Sequence, residues 1–132
     1  MRVFKNNRFD RFARKQGIPD NVLLDAVKRA ESGQIDADLG GGVIKQRIAR
    51  AGEGKRGGYR TLILYRNAER AFFVYGFAKN DMGNIKSDEK EALRKLASIV
   101  LNLTDDVLGE LVKQSDYKEV AVDVEQDSQE YE

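Results

Sequence analysis

The chain of 132 residues has no cysteine, no histidine and no tryptophan, and its single proline is Pro19. Without cysteine there are neither disulfides nor thiolate metal ligands. Without histidine, Ser-His-Asp triads and the two-histidine acid–base scheme of many ribonucleases are excluded. Zinc sites built from His and Cys go with them. A carboxylate-only metal site needs clustered acids, yet residues 39–80 contain only Glu53 and Glu69. The expectation is therefore no metal and no cofactor, with any chemistry in that half resting on Lys, Arg, Tyr and the backbone. No apolar run is long enough to cross a bilayer, and the opening stretch lacks the apolar core of a signal peptide. A soluble cytoplasmic protein with no membrane partner is expected.

Charge is abundant and unevenly placed. Residues 1–80 carry 17 Lys/Arg against 8 Asp/Glu, and residues 81–132 carry 6 against 14, so the net +1 hides a basic front and an acidic rear. A basic half suits a polyanionic partner. The hydrophobic share of 41% with six Phe and five Tyr indicates a folded chain. A single domain is expected over residues 1–124, followed by an acidic, disordered tail over 125–132.

Phe9, Phe12 and Ala13 recur at helical spacing before Gly17, and Leu23, Ala26, Val27 and Ala30 do the same between Pro19 and Gly33. Pro19 fits the first turn of that second helix. Residues 36–42, with three consecutive glycines, read as loop. Three strands follow at 43–50, 59–66 and 71–79. The third is apolar on both faces, as a central strand requires. Their short links predict an antiparallel meander. A helix from Ser87, with Asp88 as its cap and Glu91 completing a capping box, carries Leu93, Leu96, Ala97, Val100 and Leu101. Thr104 caps a last helix through Val107, Leu108, Leu111 and Val112, and residues 117–124 alternate as one more strand. The predicted fold class is α+β: a small curved antiparallel sheet, a three-stranded meander with a possible C-terminal strand, packed by N-terminal and C-terminal helices.

Gly52-Glu-Gly54-Lys-Arg-Gly57 matches a dinucleotide-binding glycine pattern, but a strand follows it where that motif needs a helix. It reads instead as a hairpin loop over 51–58 with Lys55 and Arg56 at its tip. Residues 43–80 hold nine cations, among them Lys45, Arg47, Arg50, Arg60 and Lys79, against two glutamates. Cations of neighbouring strands that share a face form a patch suited to a phosphate backbone. Arg66 and Arg70, beside the second turn, suit charge on a sheet edge against aggregation. Phe72, Phe73 and Phe77 read as core, whereas Tyr59, Tyr65 and Tyr75 fit half-wet positions and remain candidates for base stacking. Lys79-Asn80 ends the apolar strand abruptly, where functional groups often stand.

Three segments taken in order, Lys45-x-Arg47-x-Ala49-Arg50, Gly52-x-Gly54-Lys55-x-Gly57-Gly58-Tyr59-Arg60 and the run from Ala71 to Lys79-Asn80, resemble the HigB-like branch of the RelE/ParE toxins. The resemblance covers about residues 1–118. It implies a RelE-like fold and a toxin of a type II toxin–antitoxin system, neutralised by a small antitoxin of helix-turn-helix type. It also implies a ribosome-dependent mRNA endonuclease in which a ribose 2′-hydroxyl attacks the adjacent phosphate. Lys45, Arg47, Arg60 and Lys79 are then the catalytic candidates. Arg50, Lys55, Arg56, Asn80, Tyr65 and Tyr75 are the RNA-binding ones. Within that reading Arg47 and Arg60 supply fixed cationic donors. Lys45 and Lys79 serve as base or acid, because like charges lower a lysine's pKa, with Tyr65 or Tyr75 in reserve. The sequence departs from relatives at Arg56, where a small Ser is common, and at Asp81-Met82; the C-terminal catalytic tyrosine of some relatives has no counterpart, which leaves the general base open. A non-catalytic nucleic-acid module and a gyrase-directed ParE-like toxin are the alternatives.

Overall fold

The computed structural model describes residues 1–50, 54–78 and 87–120, excluding the side chains of 50 and 54–57. Its elements are β1 (Arg2–Asn6), α1 (Asn7–Gln16), α2 (Asp20–Glu31), β2 (Ala37–Gly40), β3 (Val43–Arg50), β4 (Gly54–Arg66), β5 (Arg70–Ala78), α3 (Ser87–Val100), α4 (Asp105–Lys113) and β6 (Tyr117–Glu119). They build one curved, unclosed sheet in the order β2-β3-β4-β5-β1-β6.

The expected meander is β3-β4-β5, antiparallel throughout. The structure adds β1, which pairs parallel to β5, and β2. The sheet is therefore mixed rather than wholly antiparallel. A parallel pair needs a long crossover, and here everything from α1 to β4 lies between β1 and its partner. The segment read as loop over 36–42 contains β2, four residues tied to β3; its last residue Gly40 and the following Gly41 and Gly42 have positive φ. The hairpin loop expected over 51–58 is shorter, because residues 54–58 already belong to β4. The last strand covers 117–119 of the expected 117–124, and residues 121–132, with the expected tail, lie outside the described residues.

Each helix follows from local chemistry. Asn6 caps α1 by accepting from the Phe9 amide at 2.8 Å, and Gly17 closes the helix with φ 70°. Pro19 stands at the N-cap of α2, one residue before the helix proper. Thr104 caps α4 as expected, its hydroxyl accepting from the Val107 amide at 3.2 Å. Asp88 lies inside the first turn of α3 instead of capping it, where its charge still suits the helix dipole.

The sheet is buried on both faces. On one, α1 and α2 bring Phe9, Leu23, Ala26 and Val27 against Ile44, Ile48, Ile63 and Phe73. On the other, α3 and α4 bring Ala97, Val100, Leu101 and Leu108 against Val43, Leu62, Leu64 and Phe72. Phe72 and Phe73 are fully buried on opposite faces, and β5 lies inside the sheet, as its two-sided apolar pattern predicts. Gln46 is the polar exception. Its amide donates to the carbonyls of Ala26 at 3.0 Å and Gln34 at 3.2 Å and accepts from the Asp36 amide at 2.8 Å, which ties the end of α2 to β3.

Arg66 and Arg70 are not edge decoration. Arg66 donates to the Leu101 carbonyl at 2.9 Å and to Asn102 at 2.9 Å. Arg70, itself buried, donates to the Val100 carbonyl at 3.1 Å and to Asp105 at 3.0 Å. Both satisfy the carbonyls that α3 leaves open at its C-terminus. No helix among the described residues is long and apolar enough to cross a membrane.

Candidate nucleic-acid interface

Strand register decides which cations meet. Lys45 pairs with Leu62 and Leu62 with Tyr75, which makes one row across β3, β4 and β5; Arg47 pairs with Arg60 and Arg60 with Phe77, which makes the next. Residues directly opposite one another share a face. Lys45, Arg47 and Arg60 therefore stand on the face that carries Leu62 and Phe77, the side of α3 and α4.

Tyr75 reaches that face through an irregularity. Leu62 opposes Tyr75 while Ile63 opposes Phe73, so β5 has one extra residue, Val74. Such a bulge turns the following side chain to the other face. Phe73 belongs to the core under α1 and α2, Phe77 to the core under α3 and α4, and the even spacing between them is broken at Val74. The Asn6 side-chain amide donates to the Val74 carbonyl at 3.2 Å while its oxygen caps α1, which binds the bulge to the start of that helix. Tyr75 is left 37% exposed, its ring 5.8 Å from that of Phe77.

The cations on this face are poorly neutralised. Arg47 has one acid at long range, Asp36 at 3.8 Å, and its own amide donates to the same carboxylate at 2.6 Å. Lys45 has no acid partner among the described residues. Arg60 is half-buried, and its Nη1 is buried with no hydrogen-bond partner among the described residues. Arg47 and Arg60 are direct cross-strand neighbours, an arrangement of like charges that costs stability. A face that keeps an unsatisfied guanidinium nitrogen and two opposed arginines is built for something other than folding. Arg47, its side chain 43% exposed, presents a guanidinium that an incoming anion with several acceptor oxygens matches.

Residues 1–120 match the model of the RelE toxin of the RelE/RelB toxin–antitoxin system. The chain belongs to the RelE toxin family. Compared with curated proteins, it has no match. As a RelE-type toxin it is one half of a toxin–antitoxin pair, and its family implies an antitoxin as partner.

The remaining candidates of this RelE-type toxin divide three ways. Tyr65 is not brought to the face. It pairs with Ala71 on the side of α1 and α2, and its hydroxyl donates to Asn67 at 3.1 Å. Burial, with Glu31 nearby, pushes its phenol above the ordinary range. Tyr59, also on that side, is core: it is buried, meets Phe12 edge-on at 5.5 Å and donates to Gln16 at 3.0 Å. Arg50, Lys55 and Arg56 are placed by their backbones at the β3–β4 end of the sheet, with side chains outside the described residues. Lys79 and Asn80 lie outside the described residues altogether.

One cation was missed by sequence reasoning. Arg8, in the first turn of α1, places its guanidinium 5.5 Å from the centre of the Tyr75 ring. In the sequence it reads only as part of a helix; the bulge that carries Tyr75 to it has no signature there. Among the described residues, no group of three or more acids, histidines or cysteines is gathered to hold a metal.

Proposed function

We propose that this RelE-type toxin is a metal-independent endoribonuclease of the HigB-like branch that cleaves mRNA on the ribosome, in the cytoplasm, and is neutralised by a helix-turn-helix antitoxin. The observation that carries the reading is the convergence of Lys45, Arg47 and Arg60 on one sheet face, with Arg60 Nη1 buried and unpartnered among the described residues. Scission requires removal of the 2′-hydroxyl proton, attack of that oxygen on the adjacent phosphorus, and protonation of the departing 5′-oxygen. The products are a 2′,3′-cyclic phosphate and a 5′-hydroxyl.

In this reading Arg47 and Arg60 hold the non-bridging phosphate oxygens, and their donors are in place before substrate arrives. Preorganised donors of that kind contribute about 3 kcal/mol each to transition-state stabilisation. Lys45 on the same face and Lys79 beyond the end of β5 exchange the two protons. Tyr75 offers a half-exposed ring to a neighbouring base. Three cations with Asp36 as the one acid paired to them among the described residues repel a divalent ion, which favours chemistry carried by the side chains alone. The ribosome orients the strand for in-line attack, which relieves the protein of that task.

The test is to add the purified protein to translating ribosomes and map new mRNA 5′ ends. New 5′-hydroxyl ends that appear with the wild-type protein and vanish with an Arg60 variant support the reading. RNA binding without new ends would make the protein a binding module instead.

A further inference from the structure

The cations of the described chain sort into two kinds. Lys5 and Arg14 are held by Asp10, Arg66 and Arg70 by the C-terminus of α3. These serve the fold. On α1, in contrast, Arg8, Arg11 and Lys15 are exposed and make no ion pair among the described residues. At 100° per residue their spacing of three and four puts them within about 60° of arc on one stripe. The stripe faces away from Phe9 and Ala13, which are buried against the sheet. Asp10, the one acid of α1, is buried and turned toward Lys5 and Lys118, so it neutralises none of the three. Like charges stacked at helical spacing weaken a helix slightly, so stability does not account for them.

The stripe is joined to the candidate site. Arg8 lies over the Tyr75 ring, Tyr75 stands in the row of Lys45, and Asn6 binds the bulge before Tyr75 to the start of α1. We propose that Arg8, Arg11 and Lys15 form a second contact for an RNA phosphate backbone, continuous with the sheet face through Tyr75. The proposal rests on the reading of that face as an RNA site. From Arg8 to Lys15 the helix rises about 10 Å, room for about three successive phosphates at roughly 3.4 Å each along a helical strand. The RNA is either the strand that leaves the site or RNA of the ribosome itself. Both present the same chemistry.

The experiment uses the full chain with R8Q/R11Q/K15Q. Binding is measured across a salt series to a ribosome-free single-stranded RNA, in two unrelated sequences, and to vacant ribosomes without mRNA. Each cation on a single strand contributes about 0.7 to the slope of log affinity on log salt, so the slope falls by about 2 against the RNA that uses the stripe. The loss is the same for both oligonucleotide sequences. A loss confined to the oligonucleotide assigns the stripe to the mRNA strand; a loss confined to vacant ribosomes assigns it to ribosomal RNA. The charge-preserving R8K/R11K/K15R restores the slope. K95Q/K113Q, which removes two exposed cations from α3 and α4, leaves it where it was. In cleavage the stripe variant raises KM and spares kcat. Wild-type slope and affinity toward both RNAs would overturn the proposal. So would an equal loss per charge in K95Q/K113Q, which would reduce the stripe to net charge. Arg60→Met separates the two readings. If it leaves cleavage intact while the stripe variant still binds weakly, the sheet face loses its part in the reaction and the RNA contact of the stripe stands.

Discussion

Arg60→Met removes the charge of the most constrained cation on the sheet face while keeping an unbranched stem. Nη1 of Arg60 is buried without a partner among the described residues, and a buried unsatisfied donor costs about 1–3 kcal/mol. Arg47 directly opposite adds a like-charge penalty of up to about 1 kcal/mol. Methionine removes both costs and keeps an apolar stem among the same-face neighbours Leu62 and Phe77, at some loss of contact by the missing guanidinium. The expected net effect is a gain of about 1–2 kcal/mol in folding stability. At roughly 3–5 °C per kcal/mol for a chain of this size, Tm rises by about 3–10 °C. Cleavage on ribosomes falls by about 10²–10³ in kcat, the usual cost of one preorganised donor. Thermal unfolding and 5′-end mapping on the same preparation measure both. A drop in Tm would mean that Arg60 serves the fold and that the strain argument is wrong. A stabilised variant with full activity would remove Arg60 from the mechanism.

Asp10 is buried among Lys5 at 3.2 Å, Arg14 at 3.1 Å and Lys118 at 3.0 Å. Burial alone would raise its carboxyl pKa, but the hydrogen bonds from Lys118 and Lys5 outweigh burial and hold it below the ordinary value. A lowered folded-state pKa gives stability that is complete above the unfolded value of about 3.9 and lost as pH falls through the folded one. Asp10→Asn should therefore cost about 3 kcal/mol at pH 7, with the gap to wild type closing below about pH 4; a gap independent of pH in urea unfolding would show that the ion pairs contribute nothing. At Gly76 an added Cβ would meet the Phe12 ring at 2.5 Å and Phe9 at 3.0 Å, so Gly76→Ala should lower stability by about 1–3 kcal/mol as the rings are displaced. An unchanged urea midpoint would mean that α1 yields freely. Cleavage in translating extract should survive zinc- and manganese-selective chelation that spares the ribosome's magnesium, and activity restored only by added zinc or manganese would sink the metal-free mechanism.

The sequence by itself determined the helices, the meander and most of the core. Period and punctuation are local: Phe9 and Ala13 before Gly17, Leu23 to Ala30 before Gly33, Thr104 ahead of Val107, and a doubly apolar β5 all carry their structure in neighbouring residues. β1 and β2 escaped because five and four residues hold too little period to read, and both exist only because a longer strand lies beside them. Within β4 alternation separates Arg60 and Leu62 from Tyr59 and Tyr65, but it does not say which set shares a face with Lys45 and Arg47. Register between strands decides that, and it brought Arg60 in and left Tyr65 out. The bulge at Val74 likewise has no local signal: it is a mismatch between two strands, held by Asn6 from a third. Through it tertiary structure chose the face of Tyr75 and set Arg8 beside it. Arg66 and Arg70 make the same point, since a cation that looks like edge decoration in the chain becomes a helix cap only when α3 arrives with its open carbonyls. Side-chain chemistry was legible residue by residue; which charges are spent on the fold and which are left for a ligand depends on partners distant in sequence, and only the folded sheet supplies those.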